Sequence, residues 1–95
     1  MRLSAEQANT IRQAVHAHLG ADLRLWLFGS RVDDQRRGGD VDLLVDADHR
    51  IDPIAALQCR GALADALDLR VDLAVAQPGD DHPIHRIARA TGVRL

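Results

Sequence analysis

The chain contains no lysine and no tyrosine, a single cysteine, and two aromatic residues, Trp26 and Phe28, among its 95 residues. Each shortage excludes something. One cysteine, Cys59, forbids an internal disulfide, and no charged-then-apolar leader follows Met1, so the chain reads as cytoplasmic. Two rings do not build the stacking platform of a single-strand nucleic-acid binder. A net charge of −2 and a pI near 6.2 argue against direct nucleic-acid binding, because a duplex reader needs a basic footprint. No apolar run approaches the ~18 residues of a membrane helix.

What remains is ordinary globular composition, 46% apolar and 27% charged, which excludes disorder. The length fits one domain spanning 1–95, since domains run from about 50 to 250 residues. A chain of this size buries only roughly 60–65% of its unfolded surface, enough for one small core. Nearly every cation is Arg and nearly every acid Asp, a bias that reads as a coding habit.

Periodicity gives the element order α-β-(short α)-β-α-β-α. Ser4 to Gln7 is a capping box opening a helix over 4–19, with Ala8, Ile11, Val15 and Leu19 on its apolar stripe and Gly20 ending it. His16 and His18 lie two apart, so they point to different sides and read as surface residues. Residues 23–28 alternate as a strand, and 40–45 form a second with Val41, Leu43 and Val45 on one parity. Residues 46–50 read as polar connection. Asp52 and Pro53 suit the N-cap and first position of a helix to about Leu67, with Cys59 on its core stripe. A third strand covers 69–76. A last helix opens at His82-Pro83, carries Ile84, Ile87, Ala88 and Thr91, and closes at Gly92; His82 and His85 read as surface positions. The fold class is α/β (α+β), a small sheet with helices mainly on the face that takes the apolar parity.

The chemistry is concentrated in 27–45, LFGSRVDDQRRGGDVDLLV. Gly29-Ser30 follows a strand directly. Glycine lets a phosphate approach the backbone, and the serine hydroxyl and following N–H groups donate to it. Asp40 and Asp42 are two apart on a strand, so their carboxylates share a face while Val41 looks into the core. Asp72 breaks parity in the same way on the next strand. Asp is depleted in strands, so the concentration needs a reason. Two such carboxylates ~5 Å apart repel by roughly 3 kcal/mol at an effective dielectric near 20, and the cluster calls for a compensating cation. Oxygen donors on a rigid strand suit Mg²⁺ beside phosphate oxygens. Phosphate cradle, acid pair and third acid together describe metal-assisted nucleotidyl transfer. Arg31, Arg36 and Arg37, between the two motif halves, read as a solvated loop or as partners of phosphate.

Gly29-Ser30, nine residues, Asp40-Val41-Asp42, and a later strand acid in LRVDLAVA make the chain similar to the minimal nucleotidyltransferases (MNT) of the DNA polymerase β superfamily. It resembles in particular the MntA-type antitoxins of HEPN/MNT toxin–antitoxin pairs. The likeness covers nearly the whole chain, including the terminus IHRIARATGVRL; Gly39 stands where many relatives have serine. The resemblance implies a nucleotidyltransferase fold with a mixed sheet. It implies two Mg²⁺ ions, with Asp40 and Asp42 binding both and Asp72 binding the catalytic one and assisting deprotonation of the acceptor hydroxyl. Gly29 and Ser30, with Arg31 beside them, would hold the triphosphate of ATP. The activity it implies is transfer of AMP to a tyrosine of a partner HEPN toxin. Two alternatives stay open: an antitoxin that neutralises by binding alone, with a vestigial site, and a small-molecule transferase, for which a homodimer would have to build the acceptor cleft.

Overall fold

The computed structural model describes residues 3–28, 40–79 and 83–95, with the side chains of Asp40 and Ile84 outside that set. Among the described residues the elements are, in order, α1 (Ala5–Leu19), β1 (Leu23–Phe28), β2 (Asp40–Ala47), α2 (Pro53–Leu67), β3 (Arg70–Ala76), α3 (Pro83–Thr91) and β4 (Val93–Arg94). The strands form one sheet in the order β3-β2-β1-β4. β1 runs antiparallel to both β2 and β4, whereas β2 and β3 are parallel, so the sheet is mixed and the fold is α+β. A parallel pair needs a crossover, and α2 supplies it.

Helix ends follow the local sequence. The Ser4 hydroxyl accepts from the Gln7 N–H, and the Gln7 side chain accepts from the Ser4 N–H, each at 3.0 Å, which satisfies two donors left over at the start of α1. Gly20 ends α1 at φ +111°, a backbone conformation that suits glycine. The Asp52 carboxylate accepts from the Ile54 N–H at 3.0 Å, with Pro53 at the first helical position. α2 closes on Asp68 in the left-handed region, φ 53°.

The strand alternation sorts the two faces of the sheet. Val41, Leu43, Val45, Leu25, Leu27 and Val71 point to the side covered by α1 and α2. There they meet Ile11, Val15, Cys59 and Leu63 in the main core. Cys59 is fully buried, and its thiol faces the Ala14 carbonyl across the α1–α2 contact at 3.9 Å. The opposite face has a smaller core of Leu44, Ala76 and Ala88, flanked by Trp26, Phe28 and Ala74. α3 therefore packs on the face opposite the other two helices. Gly92, at its end, sits where an added Cβ would come within 2.8 Å of the Leu27 carbonyl oxygen, so the chain turns tightly against β1 before entering β4.

Several expectations need correction. Asp46 and Ala47 belong to β2, not to the connection. Asp46 is held there because it accepts from Arg24 on the neighbouring strand (3.3 Å) and from Arg89 of α3 through both carboxylate oxygens (3.2 and 3.3 Å). His85 is buried, 6% exposed, and Ile87 is 54% exposed, the reverse of the surface and core roles expected. The helix is rotated so that His85 and Ala88, three residues apart, face inward. β4 was not anticipated; two residues give no periodicity to read. The structural roles expected of His16 and His18 (exposed) and Cys59 (buried) match the structure.

Candidate active site

The site is built at the end of the sheet where β1 finishes and β2 and β3 begin, with β2 between β1 and β3. In the antiparallel register Phe28 faces Asp42, and in the parallel register Asp42 faces Asp72 and Asp40 faces Arg70. Register partners on adjacent strands project to the same side, with strands ~4.8 Å apart. Asp42 and Asp72 therefore stand side by side on one face, and the backbone of Asp40 sits one pleat along on the same parity. That face is the one α3 covers only at its other end, over Leu44 and Ala76. Asp42 is half-buried beside half-buried Phe28, and Asp72 is exposed. Val41 and Val71, the intervening residues, are buried on the helix side and lock the register.

Gly29, Ser30 and Arg31 lie outside the described residues, as do Arg36, Arg37 and His82, and so does the side chain of Asp40. The chain leaves β1 at Phe28, beside Asp42, and re-enters the sheet at Asp40, so both ends of the Gly-Ser segment are anchored at this end of the face. Among the described residues no group of three or more His, Cys, Asp or Glu side chains is placed to hold a metal ion. Asp42 and Asp72 offer two carboxylates, all hard oxygen donors, whose chemistry fits Mg²⁺.

A cleft of about 360 Å³ opens at Asp72, between the outer edge of β3 and α2, lined by Arg60, Gly61, Ala64, Arg70 and Val71. A larger one, about 440 Å³, lies between the start of α1 and the end of α2, on the other side of the sheet from the carboxylates. Arg60 was not singled out by the sequence. Arg70 shares the parity of Asp72, and that spacing of two is the signal that points to it.

No family model matches the chain, and no curated protein is recognisably similar to it. Solved structures are similar in fold. One is a tri-AMPylated Shewanella oneidensis HEPN toxin in complex with its MNT antitoxin: 25% identity, TM-score 0.70, over 94% of this chain and 68% of that one. A toxin–antitoxin structure with AMP-PNP matches at 26% identity and TM-score 0.73, over 90% and 69%. A third, MntA–HpeT with two aspartates separated by one residue replaced by glutamate, matches at 25% and 0.71, over 90% and 69%. The mixed sheet, the helix order and these likenesses agree with the resemblance carried by the sequence motif: the chain is similar to the MNT-type antitoxins of HEPN toxins and has their nucleotidyltransferase fold.

Proposed function

We propose that this chain is a cytoplasmic, Mg²⁺-dependent nucleotidyltransferase that transfers AMP from ATP to a tyrosine hydroxyl of a partner HEPN toxin, and so acts as an antitoxin. The observation that carries the reading is the register pairing of Asp42 with Asp72 on the open face, with Asp40 on the same parity. Two carboxylates paired on one open face, with a third acid at the same strand parity, are difficult to explain as packing. The AMPylated toxin and the AMP-PNP complex among the similar structures point to the same chemistry, and the glutamate-substituted pair there has the spacing of Asp40 and Asp42.

In this reading Gly29, Ser30 and Arg31 hold the triphosphate, and Asp40, Asp42 and Asp72 hold two Mg²⁺ ions. The ions, when bound, offset the charge of carboxylates and phosphates and make the acceptor hydroxyl more acidic. Asp72, the more exposed partner of the pair, accepts the acceptor's proton. The acceptor oxygen forms a bond to the α-phosphorus, the bond from that phosphorus to the bridging oxygen breaks, and pyrophosphate leaves with the electron pair. What the chain itself contributes is alignment and charge, which are the main sources of acceleration in transfer from a nucleoside triphosphate.

The test is label transfer from α-labelled ATP to the toxin. Asp42→Asn is expected to keep the amide spectrum of the folded chain and to lower transfer roughly 10²–10³-fold, the usual scale for a lost charge-stabilising group. Undiminished transfer in that variant refutes the assignment. Neutralisation by binding alone is favoured by one observation, the apolar side chains of Ile54 and Leu57 on α2, 65% and 58% exposed.

A further inference from the structure

The cleft at Asp72 does not end there. A second one, about 180 Å³, continues along the same edge of the sheet between Pro53, Ala56, Leu57 and Leu73, and the two meet at Arg60. Together they form a trench along β3, the outermost strand on that side of the sheet. Its floor is strand edge, where backbone N–H and C=O groups have no neighbour strand among the described residues. Such an edge takes an extended polypeptide as an added strand, with alternate side chains choosing pockets. One end of the trench is charged: Arg60 and Arg70 are both exposed, line the cleft together with Asp72, and have no ion-pair partner among the described residues. The other end is apolar, with exposed Leu57 over half-buried Leu73. Asp72 lies on the trench side of Asp42, whereas β1, whose end leads into Gly29-Ser30, lies on the other side.

Resting on the reading above, in which the triphosphate occupies the Gly-Ser side, we infer that this trench is the acceptor subsite. It takes an extended polypeptide segment in which an acidic residue next to the acceptor hydroxyl sits between Arg60 and Arg70, and an apolar residue further along sits on Leu57 and Leu73. Charge complementarity carries the acidic preference: two guanidiniums at the rim, with no ion-pair partner among the described residues, attract a carboxylate, each forming a charge-assisted hydrogen bond. The apolar half, without an aromatic ring, suits a peptide better than a nucleic-acid strand.

The experiment uses the full chain, isotopically labelled for amide spectra, and two synthetic peptides. Each has one tyrosine and one leucine; in one, glutamates flank the tyrosine, and in the other, lysines. A single-stranded oligonucleotide is the third probe. The glutamate peptide is expected to shift the amides of Gly61, Val71, Asp72 and Leu73. R60Q/R70Q is expected to weaken it about tenfold, a loss of about 1.4 kcal/mol, and R60E to narrow its lead over the lysine peptide. MgATP affinity, read by calorimetry, is expected to stay within about twofold in R60Q/R70Q. Equal binding of both peptides, shifts confined to other surfaces, preference for the oligonucleotide, or loss of MgATP affinity in R60Q/R70Q each overturns the inference. Label transfer is read separately: a glutamate peptide that binds in the trench yet receives no AMP, with the toxin also unlabelled, supports the subsite and refutes the enzymatic reading.

Discussion

At the scale of single residues, position within the sheet decides which side chains are available for chemistry. Cys59 and Asp72 both carry a group able to ionise, but α2 places the thiol in the core and β3 leaves the carboxylate exposed. Burial pushes the Cys59 thiol above its ordinary pKa. The folded chain thus holds that proton more tightly than the unfolded chain. The stability linked to it is fully present below the unfolded thiol's pKa of about 8.5 and is lost as pH rises through the higher folded value. No lysine or tyrosine titrates in the same range, which makes the effect unusually clean. Urea midpoints measured from about pH 8 to 10.5 are expected to fall in the native chain and to stay flatter in Cys59→Val; parallel curves would show that the thiol is not the source. The inert role of Cys59 was legible from its place on a helical stripe. The burial of His85 was not, because a histidine near the start of a helix reads as a surface residue, and only the docking of α3 on the sheet turns it inward with Ala88.

At the scale of elements, long periodic segments were legible and short ones were not. The stripe Ala8, Ile11, Val15, Leu19 is buried throughout, and the strand parity around Val41 holds. β4 has two residues and owes its existence to pairing with β1 through Trp26 and Leu27, a partner no local pattern reveals. Asp46 shows the same limit: an aspartate at the end of a strand reads as a turn until the arginines that stabilise it, 22 residues before and 43 after, come into view. That carboxylate fixes α3 to the sheet. Arg24 is 55% exposed and adds little, whereas Arg89 grips both oxygens of a carboxylate only 13% exposed. Asp46→Ala is expected to cost about 1–2 kcal/mol and to speed hydrogen exchange in α3 far more than in β2. Uniform acceleration across the chain would mean that the contact is not local to α3.

At the scale of the whole molecule, the candidate site could be read as three acids and a Gly-Ser before any coordinates, because parity alone puts Asp40 and Asp42 on one face. Asp72 was expected on the neighbouring strand as the third acid, but that its register partner is Asp42 could not be read, since the register of a parallel pair joined through a 15-residue helix is not written in either strand. The enzymatic and binding-only readings separate at this scale. With Asp40 and Asp42 both changed to Asn, the chain is expected to co-purify with the proposed HEPN toxin partner as before and to stop protecting cells from it. Full protection by that variant would transfer the proposed antitoxin role to the exposed side chains of α2.

The parallel pairing of β2 with β3 also sets the tolerance of this molecule to insertion. Strand geometry repeats every two residues, so sliding β3 by one position past β2 would exchange Asp72 for Val71 on the open face and drive a carboxylate under the helices. Additional turns in the intervening helix change nothing of the kind, because they lengthen the bridge without moving its abutments. Length variation should therefore accumulate in the crossover, while a single-residue deletion within Arg70–Ala76 disarms the carboxylates and opens the core in the same stroke.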